Sequence, residues 1–268
     1  MDKHSTPMRW LLAATAVAMP LVAWASQRGL FGPDNGTISD RYPTLLVAAG
    51  YAFSIWGVIF LLDLAYGLQQ AAGRHRADAP LGRIRPAVVI GFLLTALWMP
   101  LFSQGLFWVC LPVIFGALAC LGWAALQVTR AIAAGGEGLR LAWLALSLHA
   151  GWLSLAAFLN LAQTIVAYEW LPGEWRLGWS LGLFMLAAAV LLELNRRMHG
   201  NLAYAGAALW GLAAVYVKQA NWDLPGADVA AWTAAVIAAV LLVQTVWLWR
   251  GRGGRPARAT GGFSAAQR

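Results

Sequence analysis

Charge is scarce in this chain. Only 11% of its 268 residues are Asp, Glu, Lys or Arg, against about 25% in soluble domains. That shortage, with a 60% hydrophobic composition and a mean hydropathy of +0.63, excludes a soluble globular protein. Cysteine is nearly missing too. Cys110 and Cys120 are the two present, and ten residues of one helix set them roughly 15 Å apart, beyond disulfide reach. No Cys/His cluster has metal-ligand spacing, and no nucleophile–base–orienter set occurs. There is no repeat of fixed period. The net charge is +8, but nucleic-acid binding would need a soluble basic face, and none exists.

What is present is long unbroken apolar runs. They predict an all-α integral membrane protein with eight spans, at 8–25, 44–71, 86–103, 106–129, 141–167, 177–195, 201–217 and 229–249. With the N-terminus inside, 15 of the 19 basic residues fall on cytoplasmic segments, and Arg28, Arg41, Arg176 and Lys218 fall outside. An even span count with both termini cytoplasmic follows. The first span is expected to be retained, because Ala23-Trp24-Ala25-Ser26 resembles a cleavage site only weakly. The connection 26–43 contains the turn chemistry Gly32-Pro33-Asp34-Asn35-Gly36, and 72–85 reads as a basic polar loop. The chain divides after residue 168. Spans one to five hold most intramembrane polar groups. The region 169–249 supplies three plainer spans with Gly178-x3-Gly182 as a helix-contact motif. The Gly/Arg-rich tail 250–268 is expected to be disordered.

Tryptophan is abundant, at 16 residues. Trp10, Trp24, Trp170, Trp175, Trp222, Trp247 and Trp249 sit near span ends, as interfacial belts do. Trp56, Trp98 and Trp152 lie deeper. On the fifth span Trp152, Ala156, Asn160 and Gln163 share one helical face, within about 80° of each other. Phe53, Trp56, Phe60 and Asp63 line up similarly on the second, and Thr95, Trp98 and Phe102 on the third. Such aromatic faces suit a slot for a planar apolar ligand, or ordinary helix packing. Asp63 is the acid set well inside a span, where a carboxylate is costly and points to function. His149 lies at matching depth and is its expected partner, within about 5 Å or across one water.

Three segments in order resemble the TspO/MBR family, the tryptophan-rich sensory or translocator proteins. Phe53-Ser54-Ile55-Trp56-Gly57-Val58-Ile59-Phe60 is similar to F-P-x-W-x-x-L-Y. Trp98-Met99-Pro100-Leu101-Phe102 is similar to W-x-P-x-F, and Trp152, Ala156, Leu159 and Asn160 to W-x3-A-x2-L-N. Ser54 and Thr95 depart from the usual Pro and Asn, and Tyr168 has no Lys or Arg within five residues, so the family's sterol motif is not met. The resemblance implies a TspO-like five-helix bundle over 1–168 plus three further transmembrane helices. It implies a cavity near the first outside loop, formed by Phe53, Trp56, Trp98, Trp152, Ala156, Leu159 and Asn160, to which the residue faces add Phe60 and Gln163. Its ligand would be a tetrapyrrole, porphyrin or haem. No cofactor is otherwise required.

The leading expectation is therefore a receptor, sensor or carrier for a planar hydrophobic ligand, not an enzyme. A proton-coupled transporter of a small hydrophobic substrate using Asp63 and His149, and a structural or regulatory membrane subunit, stand as alternatives. Expected partners are membrane lipids, a small hydrophobic ligand, and a second copy or a membrane protein. The expected location is a bacterial inner (plasma) membrane.

Overall fold

The computed structural model describes residues 5–72 and 79–252. Among these, all regular structure is helical. The helices are α1 (Ser5–Gln27), α2 (Asn35–Arg41), α3 (Ile55–Ala72), α4 (Ala79–Ser103), α5 (Phe107–Ala133), α6 (Arg140–Ala167), α7 (Arg176–Arg197), α8 (Leu202–Ala220) and α9 (Ala227–Arg252). Short 3₁₀ turns occupy Gly50–Ser54 and Gly173–Trp175. His4, His75 and nearly all of the expected disordered tail lie outside the described residues.

Five helices close a ring in which α1 packs on α3, α3 on α6, α6 on α5, α5 on α4, and α4 back on α1. Helix α8 lies against α6, α9 against α8, and α7 against α9 and α6. Helix α6 thus belongs to both groups and is the most enclosed of the candidate spans. Its contact with α8 is very close. A Cβ on Gly151 would sit 2.2 Å from the Tyr204 carbonyl oxygen, and one on Gly211 would sit 2.6 Å from Leu155 Cδ2. Small residues let helix backbones approach where lipid offers no competing hydrophobic drive. The expected contact pair Gly178 and Gly182 does not do this. A Cβ on either would meet nothing within 4 Å, because i,i+4 spacing fixes a shared face but not which way it points.

Seven of the helices are long and apolar enough to cross a membrane, and α8 is the long helix that falls short. Tyr204, Trp210, Tyr216, Lys218 and Gln219 dilute its 19 residues. Tyr204 and Gln219 are buried and hydrogen-bonded within the protein, to Ser154 and to the carbonyls of Thr44 and Val47. A helix covered by protein needs less apolar surface than one facing lipid.

Other boundaries also move. The span expected at 44–71 becomes an α-helix at Ile55 and is preceded by turns and the 3₁₀ segment. The connection 26–43 holds α2, whose first amides, Gly36 and Thr37, donate to the Asp34 side chain, a standard helix cap. Helix α4 begins at Ala79, inside the expected loop 72–85. Arg85 is consequently a buried helical residue, with Nη2 donating to Gln70 Oε1 at 3.0 Å. Cys110 is buried, and both cysteines are free.

Candidate functional site

The Trp-lined cavity forms in the α2 half of the ring. Helix α3 presents Trp56, α4 presents Trp98 and Phe102, and α6 presents Trp152, Ala156, Leu159, Asn160 and Gln163. Ser39 of α2 and Ala48, Ala52 and Phe53 complete the lining from the non-helical stretch 42–54 and its 3₁₀ turn. Phe53 is therefore a roof residue, not part of the helical face with Trp56. The rings interlock. Trp56 stands edge to face with Trp152 at 5.9 Å between centroids and tilts against Trp98 at 6.5 Å, while Phe53 meets Trp152 at 6.5 Å. Phe60 differs from expectation. It stacks behind Trp56 at 5.1 Å and lines an adjoining groove instead of the cavity.

Polar atoms in the cavity are unevenly satisfied. Trp98 Nε1–H donates to Asn160 Oδ1 at 2.9 Å, which sets the orientation of that amide. Gln163 donates to the Ser39 hydroxyl at 2.7 Å and so ties α6 to α2. Three buried donors have no acceptor: Trp56 Nε1, Trp152 Nε1 and Asn160 Nδ2. An unmade buried hydrogen bond costs about 1–3 kcal/mol, and all three belong to side chains that line one cavity, where an acceptor would satisfy them. The cavity volume is only about 30 Å³, room for a water or two.

The roof is held from outside the ring by α8. The Ala49 N–H donates to the Ala214 carbonyl at 2.9 Å. Gln219 Nε2 donates to the carbonyls of Thr44 at 3.2 Å and Val47 at 3.0 Å, and Trp210 Nε1 donates to that of Ala52 at 3.1 Å. Lys218 pairs with Asp40 of α2 at 2.9 Å. Buried backbone groups outside helices need partners from the protein, and α8 supplies them here.

Below the cavity, Asp63 Oδ2 lies 2.8 Å from His149 Nδ1, with both side chains fully buried. The Trp56 ring rests edge-on against the His149 ring at 5.6 Å. Thr95 Oγ1 donates to the Gly91 carbonyl at 2.9 Å and lies 3.3 Å from His149 Nε2. With its hydrogen on Gly91, the threonine accepts from Nε2–H. One further proton then occupies the gap between Nδ1 and Oδ2, as a carboxylic acid beside neutral imidazole or as an ion pair. The second carboxyl oxygen, Asp63 Oδ1, has no hydrogen-bond partner.

The roof contacts from α8 and the buried Arg85–Gln70 bond were missed in the sequence. A signal existed for the second, since apolar Leu81, Ile84 and Val88 recur at helical spacing around Arg85. A larger cleft of about 890 Å³ opens at the opposite end between α5, α6 and α9. Its walls include exposed Trp247 and Leu144, and it has no cluster of buried unpartnered donors, so the smaller cavity is the stronger candidate. No curated protein and no solved structure matches the chain. The model of one family, described as TSPO-like protein, matches residues 9–247, from α1 to α9. The chain is an integral membrane protein and belongs to the TSPO-like family.

Proposed function

We propose that the protein is a membrane receptor, sensor or carrier that takes a planar hydrophobic ligand into the Trp56–Trp98–Trp152 cavity, with a tetrapyrrole as the leading ligand class. The observation that carries this reading is the set of three buried, acceptor-less N–H groups among aromatic rings. Such a site favours a flat apolar body bearing carboxylate or carbonyl oxygens. At about 30 Å³ the cavity is far smaller than such a ligand, so binding requires aromatic side chains to move apart. Protoporphyrin titration of the purified protein tests the reading. A shifted Soret band with quenched tryptophan emission, both lost in Trp152→Ala, is the expected result. No shift in the wild type overturns it.

A second reading, a proton-coupled transporter, is favoured by one observation. Asp63 and His149 lie 2.8 Å apart with the His149 ring against Trp56, so a proton passing through the pair would change the charge next to the cavity floor. Uptake driven by a proton gradient in vesicles, abolished in Asp63→Asn, is its signature. The inside location of both termini, and a bacterial inner membrane, belong to the same proposal and rest on the distribution of basic residues.

A further inference from the structure

A groove of about 450 Å³ runs between α1 and α3 beside the cavity. The two spaces share Phe53 and Trp56 in their walls, so those rings are the partition between them. The groove has a mechanical origin. At the other end of this helix pair, Gly67 is so close to α1 that a Cβ would lie 2.7 Å from Ala16 Cβ and 3.4 Å from Ala13 Cα. Pro20 then removes a rung from α1, as prolines do where helices bend. Beyond it the helices leave room, and Gly57 presents no side chain to fill it.

From this geometry we infer that the ligand reaches the cavity sideways out of the bilayer, between α1 and α3, when Phe53 and Trp56 swing aside. The inference rests on the cavity being the ligand site and adds how it is reached and what can reach it. The competing route through the roof requires breaking the bonds from Gln219, Trp210 and Ala214 and the Lys218–Asp40 pair. Rotating the partition breaks none, because Trp56 Nε1 has no acceptor and Phe53 has no polar atom. Joined to the groove, the cavity reaches the range of about 300–1,000 Å³ usual for small-molecule sites. Beside Trp24, Phe60 and Met99, the groove wall carries the polar side chains of Ser26, Gln27, Asn35 and Ser54. The ligand class is therefore an amphipathic molecule dissolved in the bilayer, with an apolar body and acceptor oxygens for Trp56, Trp152 and Asn160.

Thiol labelling tests this without any ligand. In a Cys110→Ala/Cys120→Ala background, Ala156→Cys places a thiol on the cavity wall. In reconstituted vesicles, N-cyclohexylmaleimide partitioned into the bilayer should label it, and Gly57→Phe, which fills the groove, should slow labelling at least tenfold. If Gly57→Phe does not fold, Ala23→Phe blocks the groove from the opposite wall with the same expectation. Gln219→Leu, which loosens the roof, should change that rate less than twofold while speeding reaction with sulfonatoethyl methanethiosulfonate from water. Unchanged labelling in the filled-groove variants, a tenfold gain of maleimide labelling in Gln219→Leu, or no labelling from the bilayer each overturns the lateral route. Failure of porphyrin to bind the wild type would instead remove the proposed ligand and leave the labelling result standing.

Discussion

The Asp63–His149 pair yields a prediction whose magnitudes follow from its hydrogen bonds. In the wild type one carboxyl oxygen meets His149 and the other has no partner. Replacing His149 by Leu strips the remaining oxygen as well. The fully buried acid then loses its one hydrogen bond and the partner for any charge it carries, so His149→Leu should cost about 3–5 kcal/mol, the usual range for halving a buried pair. Asp63→Asn is milder. Its amide N–H can still donate to neutral Nδ1 while Nε2–H stays on Thr95, leaving one extra N–H unsatisfied at about 1–2 kcal/mol. Removing both partners, as Asp63→Leu with His149→Leu, takes away the polar groups altogether and should be less damaging than His149→Leu alone. Equilibrium unfolding in mixed micelles, followed by tryptophan emission, gives these values and that of Asp63→Leu alone, which closes the cycle. Strict additivity across it, or Asp63→Asn costing more than His149→Leu, would refute the shared-proton description.

Two further predictions concern packing and capping. Gly151→Ala must drive a methyl to within 2.2 Å of the Tyr204 carbonyl, so α6 and α8 separate, with a loss above about 3 kcal/mol; Gly182→Ala, with open space around it, should stay within about 0.5 kcal/mol in the same unfolding assay. Asp34→Ala removes the α2 cap for about 1 kcal/mol and should raise amide exchange in α2 by several-fold. The Thr37 hydroxyl and neighbouring amides hold the Asp34 carboxyl below its ordinary range. The cap's contribution is therefore complete above the unfolded value of about 3.9 and fades as pH falls through the lower folded value, so wild type and Asp34→Ala should converge in acid.

The long helices were legible because unbroken apolar runs have one solution in a bilayer. The aromatic positions were legible too, since Trp98 and Asn160 sit where helical spacing and the family pattern both direct them, and Asp63 had few buried partners at its depth. Legibility failed where the controlling interactions are distant in sequence. The stretch 44–54 is as apolar as a helix end, yet α8 bonds hold it in turns, and Phe53 leaves the helical face as a result. Phe60 follows the correct 3.6-residue spacing but stacks behind Trp56 and lines the groove beside α1. Arg85 reads as a loop cation because charge usually marks an exit, although Leu81, Ile84 and Val88 keep helical spacing around it. Gly178 and Gly182 carry a contact motif, while Gly151 and Gly211 make the contacts without one.

The bonds between α8 and the roof have a consequence for how the chain is made. The carbonyls of Thr44, Val47 and Ala52 find their α8 donors 158 to 175 residues further along. During synthesis at about 5–20 residues per second, that interval lasts roughly 8–35 s. Over it the ring helices emerge and insert while the segment destined to cover them lacks its final partners. Until α8 arrives, the Thr44, Val47 and Ala52 carbonyls must find other partners, such as water. Assembly of the ring and closure of its cover are thus separate events in time, and a nascent chain halted before residue 202 holds an open bundle.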